Sequence, residues 1–279
     1  MTKQERGDFC FGFARESDGA IAFQCSDDAE RWPWLRLHPA HNIAIQSTNY
    51  FSLTGVSLFA QSLSGEQWSA LTSFSWRVHN RGEGAKHPVG GRATQEADGI
   101  SYQCAFQDGD GAPVYDVAGA GVVFRNRDFE SWRAKAKAEI AALAPADRFE
   151  FAAPGDVGVE THVEVYVSPV VEDPIAEDEA GPYVDALVTL ENGFRPAHPY
   201  HGGSGDHVNS GHLCDAVQQG ARLLGRSSYP SAGEATFTRY VELDRPFRLT
   251  CASQTAQKLV FEISQGPYKC ATISVSYDD

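Results

Sequence analysis

The sequence predicts an α+β chain of two similar modules in tandem, each a long apolar helix laid against an antiparallel sheet. Three observations predict it. The 279 residues suit two domains of roughly 130 to 140 residues each. Each half reads strand, strand, long buried helix, then three long strands. The residues after each helix alternate apolar and polar, and a period of two lays one face of a sheet on the helix. The repeat is one of pattern, with no clear identity between the halves.

The first half opens with strand-like runs from Phe9 to Ala14 and from Ala20 to Gln24, joined by the turn-rich Glu16-Ser17-Asp18-Gly19. From Ile43 to Leu63 the apolar residues Phe51, Val56, Phe59 and Leu63 recur at helical spacing, which predicts a helix buried on most sides. Strands are predicted for Trp68 to His79, Gly91 to Gln107 and Val114 to Phe124, the last two joined through Asp108-Gly109-Asp110-Gly111. An Ala-, Lys- and Glu-rich helix from Asp128 to Leu143 ends at Ala144-Pro145-Ala146-Asp147, where the boundary is drawn: 1–145 and 146–279. The second half places strands at His162 to Val170 and Tyr183 to Leu190, separated by an acidic loop. A Gly- and His-rich loop, Pro196 to Ser210, leads into a helix from Gly211 to Leu224. Strands follow at Ala235 to Cys251, Lys258 to Ser264 and Lys269 to Tyr277, with Phe237, Arg239 and Val241 on one face of the first.

Composition removes several classes of function. With 42% hydrophobic and 22% charged residues the chain is no disordered polymer. A net charge of −14, from 37 acids against 23 bases, repels nucleic acid and anionic membrane alike and reads as solubility. No window approaches a membrane span. The start, Met1 to Asp8, is polar and lacks a signal core, and the six cysteines (10, 25, 104, 214, 251, 270) are scattered without a C-x-x-C. The expectation is a cytoplasmic protein with reduced thiols, no structural zinc and no cofactor.

The chemistry-bearing residues gather in one stretch. His201 precedes Asp215 by fourteen positions, in a Gly-rich loop entering a buried helix, and Asp215-Ala216-Val217-Gln218-Gln219 follows. With 37 acids in 279 residues, nine His give about one His–acid pair at any chosen spacing by chance, so the placement carries the weight. An Asp in an apolar helix is costly unless paired or exposed, and Asp215 reads either as a functional acid or as a helix-surface or cap-network residue. His198, His207 and His212 crowd the region, but their spacings are no recognised ligand set, and no metal is expected. There is no G-x-x-x-x-G-K-S/T and no G-x-S-x-G, and Gly202-Gly203-Ser204-Gly205 reads as a flexible entry to the helix.

A long apolar helix embraced by an antiparallel sheet is the layout of the hotdog fold, and the order of elements resembles two hotdogs in one chain, a double hotdog. The segment His201 to Gln219 is similar to the active-site segment of bacterial β-hydroxyacyl-ACP dehydratases, and its D-x-x-x-Q element to the double-hotdog dehydratase domains of polyketide synthases. It departs from the first family in having Val208-Asn209-Ser210 where a Met-Pro-Gly shapes the acyl pocket. Asp206-His207-Val208-Asn209-Ser210 also resembles the G-H-V-N-N segment of hotdog acyl-CoA thioesterases, with Gly203 where many of those enzymes carry a catalytic Asp.

The resemblance implies dehydration or hydration of a β-hydroxyacyl thioester of acyl carrier protein or coenzyme A. A His acts as base and Asp215 as acid, with Gln219 beside it. Backbone N–H groups near Ser210, Gly211 and His212, after Asn209, would polarise the thioester carbonyl. In dimeric dehydratases of this kind the His comes from one module and the acid from the other, which makes His38 and His41, ahead of the first long helix, alternatives to His201. That helix holds no carboxylate, so one functional site with one degenerate counterpart is expected. Thioester hydrolysis is the alternative reaction, and a non-catalytic acyl-binding module or assembly role the third reading. No nucleic-acid or membrane partner is expected, and a homodimer is left open.

Overall fold

The computed structural model describes residues 8–62, 68–96, 101–124, 129–143, 149–159, 164–171, 181–193 and 206–278. The boundary expected between 145 and 146 lies outside them. The chain divides into one compact unit of Met1–Arg127 with Ser231–Glu234, and a second of Asp128–Pro230 with Ala235–Asp279. No helix among the described residues is long and apolar enough to cross a membrane.

In the first unit strands β1 (Cys10–Arg15) and β2 (Ile21–Cys25) pair antiparallel through the expected turn, where Gly19 takes a φ of 89°. Helix α1 (Asn42–Ala60) follows, with Ile43, Ala44, Ile45, Phe51 and Val56 buried. His41 caps its start, Nδ1 accepting from the Ile43 N–H at 3.2 Å. Its end comes three residues before the predicted Leu63, because Gln61 turns left-handed at φ 53° and closes the last turn on Leu58 and Ser57. Trp32 and Trp34, around the 3-10 turn Pro33–Arg36, pack on Phe51 at 5.4 and 4.5 Å.

Strands β3 (Trp68–Val78), β4 (Gly90–Gln95), β5 (Tyr102–Gln107) and β6 (Pro113–Phe124) complete the unit. The run predicted as one strand from Gly91 to Gln107 is a hairpin, β4 and β5 pairing from Gly90↔Gln107 to Gln95↔Tyr102. The sequence between them carries Asp98-Gly99, a hairpin signal hidden inside an otherwise strand-like run. The turn at Asp108 to Gly111 joins β5 to β6 as expected, with Asp108 N–H on Ala112 O at 2.9 Å.

In the second unit α2 (Phe129–Ala141) precedes β7 (Tyr183–Ala186), a single helical turn α3 (Leu190–Gly193) and helix α4 (Ser210–Leu223). Strands β8 (Ala232–Phe237), of which Ala235–Phe237 fall in this unit, β9 (Phe247–Gln254), β10 (Lys258–Gln265) and β11 (Tyr268–Ser276) follow. Two expected strands are corrected here. Of His162 to Val170, residues 162 and 163 lie outside the described set, and the remainder makes one isolated bridge, Val167↔Ala186, with a second at Val171↔Tyr183 just beyond it. Pro169 has no N–H to give a ladder. The strand predicted from Ala235 to Cys251 is two, because the chain turns at Asp244 (φ 62°) and Pro246 before entering β9. Arg239 and Val241 therefore lie beyond the strand that Phe237 ends.

The two units repeat one topology. In the first the strand order includes β2-β4-β5-β6-β3, with β1 added outside β2; in the second it is β7-β9-β10-β11-β8. In each, the strand before the helix neighbours the second strand after it, and the first strand after the helix lies at the far end. Period-two burial holds in β10, where Leu259, Phe261 and Ile263 are inside, and Phe261 with Val184 meets α4 at Gly220.

Candidate functional site

Helix α4 is buried from Gly211 to Ala221, so a charged residue on it has no route to water along that span. Asn209 caps it in an extended conformation and accepts from the His212 N–H at 3.1 Å. Ser210 and Gly211, in the first turn, have no carbonyl within the helix to bond, and their N–H groups carry the positive end of the helix dipole. Replacing Asn209 with Ala is expected to destabilise the protein by about 1 kcal/mol, read by denaturant titration.

Asp215 lies two turns into this helix and is 0% exposed. Its Oδ2 accepts from Gln219 Nε2 at 3.1 Å, while Oδ1 has no hydrogen-bond partner among the described residues. Burial pushes its pKa up to about 8, against the opposing pull of the Gln219 amide, so the group is largely a neutral carboxylic acid at pH 7. Gln219 is itself held from two sides: Nε2 also donates to Glu164 O at 2.9 Å, and Oε1 accepts from the Tyr166 N–H at 2.9 Å. The i, i+4 spacing puts Gln219 one turn beyond Asp215, and the segment ahead of β7 fixes the amide's direction. Six residues after its N-cap α4 carries Asp215, and at the same offset α1 carries Ser47.

The other predicted residues fall as follows. His212 is buried; its Nε2 lies 3.1 Å from Gly193 O, and its ring meets Tyr166 edge-on at 5.5 Å. His201, like His198, lies outside the described residues. His38 and His41 belong to the first unit and serve its backbone there. His38 Nδ1 accepts from the Ala40 N–H at 3.1 Å and His41 Nδ1 from Ile43, which in the neutral ring puts the proton on Nε2. Among the described residues no three His, Cys, Asp or Glu gather as a metal site would need.

One arrangement in the second unit has no counterpart in the sequence reading. Asp206 Oδ1 lies 2.7 Å from His207 Nδ1, and Asp206 Oδ2 accepts from Arg133 Nη1 at 2.9 Å. Arg133, 2% exposed, also donates Nη2 to Asp206 O at 2.9 Å, Nε to Glu242 Oε1 at 2.8 Å, and Nη2 to Glu242 Oε2. Tyr240 stands under both, its ring 4.7 Å from the guanidinium and 4.4 Å from the imidazole. Burial holds His207 below the ordinary histidine range, against the pull of Asp206, which leaves the imidazole neutral at pH 7. The adjacent pair Asp206-His207 was the only signal in the sequence; Arg133 reaches Asp206 across 73 residues and Glu242 across 109.

No protein-family model matches the chain, and no curated protein matches it in sequence. Solved structures do resemble it. An oleoyl thioesterase (putative) from Lactobacillus plantarum superposes with a TM-score of 0.51 at 13% identity, over 85% of this chain and 86% of that one. The 12:0-ACP thioesterase from Umbellularia californica gives 0.48 at 9% identity over 85% and 90%. The dehydratase domain of RzxB from Pseudomonas fluorescens gives 0.46 at 11% over 96% and 97%. At such identities a likeness speaks for the fold and leaves the reaction open. The first superposition, together with one strand order threaded twice around a buried helix, shows a protein of hotdog fold, the module occurring once in each half of the chain.

Proposed function

We propose that this protein interconverts β-hydroxyacyl and enoyl thioesters carried by acyl carrier protein or coenzyme A. The observation that carries the reading is Asp215: a carboxyl wholly buried and held as the neutral acid near pH 7, with one oxygen oriented by Gln219 and the other unpartnered among the described residues. A general acid must hold its proton at working pH and release it to a leaving group, and a carboxyl with pKa near 8 can do both. In dehydration a base removes the proton on the α-carbon and the electron pair forms the double bond. The bond from the β-carbon to its hydroxyl breaks as Asp215 delivers its proton, and water leaves. The thioester carbonyl, negative as the α-proton departs, suits the first-turn N–H groups of Ser210 and Gly211. The base is a histidine; of the candidates the resemblance supplies, His38 and His41 would each have to give up the backbone N–H held on Nδ1 to act, which favours His201.

Thioester hydrolysis is the second reading, and the Asp206–His207 pair favours it. A neutral imidazole whose Nδ1–H donates to a carboxylate presents its Nε2 lone pair, which is what activating a water requires. The two reactions differ in product. Crotonyl-CoA and β-hydroxybutyryl-CoA are incubated with the protein while enoyl absorbance and free thiol are followed together. Change in enoyl absorbance without thiol is the expected result; thiol without enoyl change overturns the dehydratase reading in favour of hydrolysis. Silence in both across chain lengths leaves the acyl-binding module. His201→Ala, His38→Ala and His41→Ala then identify the base, the true one losing kcat with KM little changed.

A further inference from the structure

We propose that Arg133 is a positioning residue for His207: it holds and turns the Asp206 carboxylate, so that Oδ1 accepts the hydrogen bond from His207 Nδ1–H and the Nε2 lone pair is left open two residues ahead of the α4 cap. The functional weight of this rests on His207 acting as a base in thioester chemistry; the arrangement itself does not depend on it.

Two acids, Asp206 and Glu242, converge on the one guanidinium. Without a cation between them the two carboxylates would repel one another, and neither would be held in this rotation. Arg133 meets Glu242 through Nε and Nη2 and Asp206 through Nη1, a fork that serves both acids at once. An ammonium has one centre and cannot span the pair in this way. Because Oδ2 of Asp206 is committed to Arg133, Oδ1 faces His207, and the rotation of the carboxylate is fixed.

The remainder of the surroundings supports the same orientation. The Tyr240 ring lies against the imidazole at 72°, and Val208 N–H bonds Val241 O at 2.9 Å, pinning the chain on the far side of His207. Glu242 is held in turn by Gln265, whose Oε1 accepts from the Glu242 N–H at 2.8 Å and whose Nε2 donates to Glu242 O at 2.9 Å. The His207 side chain keeps 21% exposure, and its Nε2 makes no hydrogen bond among the described residues. The carboxylate on Nδ1 selects the tautomer, and in its absence an imidazole is free to place the proton on the other nitrogen. A brace that served stability alone would not need to set a proton's position.

The test reads that position directly. Proton–nitrogen correlation spectra of histidine-labelled full-length protein are recorded above the imidazole's titration range, with the His207 signals assigned by their loss in His207→Gln. The native protein is expected in the Nδ1–H form, Asp206→Ala in the Nε2–H form, and Arg133→Met shifted most of the way toward it, with Arg133→Lys between. Thermal unfolding of each variant establishes that it is folded; if Arg133→Met is not, Arg133→Lys and Glu242→Gln carry the comparison. In a folded variant kcat is expected to fall about 10- to 100-fold with KM nearly unchanged. An unchanged tautomer in folded Arg133 variants overturns the proposal whatever the rates do. A shifted tautomer with unchanged rates supports the positioning role and overturns His207 as a base.

Discussion

Asp215→Asn lowers kcat for dehydration by about 10²- to 10⁴-fold, the range a positioned general acid contributes, and leaves the protein folded. The amide matches the carboxyl in shape and can keep an oxygen on Gln219 Nε2, so what it lacks is the proton to deliver. The same substitution has a second signature, in stability. The Asp215 carboxyl keeps its proton to about pH 8 in the folded protein, whereas the ordinary value is 3.8. Between those limits the folded state holds a proton that the unfolded chain has released, so stability falls as pH rises through the window and levels off above it. A displacement of roughly four pH units corresponds to on the order of 5 kcal/mol at the alkaline end. Asp215→Asn removes that slope, and the variant is expected to exceed the native protein in stability most at alkaline pH. Urea unfolding at a series of pH values measures it; parallel curves for the two proteins would show that Asp215 is not the buried acid described here.

The fold was legible where pattern and burial coincide. α1 and α4 announce themselves by apolar spacing, and the turn at Asp108 to Gly111 by its glycines. Two pairs of strands were read as single strands, the β4–β5 hairpin at Gly91 to Gln107 and the separate strands β8 and β9 at Ala235 to Cys251. Each break carries a short local signal, Asp98-Gly99 in one and Asp244 with Pro246 in the other, flanked on both sides by strand-like runs that mask it. At the site, the Asp215 to Gln219 spacing was readable because four residues is one helical turn. Its consequence was not, since Gln219 gains its direction from Glu164 and Tyr166, over fifty residues upstream. Arg133 was invisible for the same physical cause. In the sequence it is one cation in an Ala- and Lys-rich helix, and the carboxylates that give it meaning come from two distant segments.

Gln219→Met is expected to act on stability and on the pH profile at once, and the two effects separate its roles. The thioether cannot donate to Asp215 Oδ2 or Glu164 O, nor accept from the Tyr166 N–H, so buried polar groups lose their partner. At about 1–3 kcal/mol for each of these three groups the loss is roughly 3–9 kcal/mol, measurable as a lowered denaturation midpoint. The Gln219 amide is also the one interaction that pulls the Asp215 pKa down against burial. Without it the carboxyl holds its proton to higher pH. If protonated Asp215 is the acid of the reaction, activity is lost as pH rises through its pKa, and the alkaline limb of kcat moves upward in Gln219→Met. Gln219→Glu keeps an oxygen for the Tyr166 N–H and sets a second carboxyl beside the first. It is therefore expected to shift the limb in the same direction with a smaller loss of stability. A limb that stays in place in both variants belongs to a group other than Asp215, and the general acid of this protein must then be sought elsewhere.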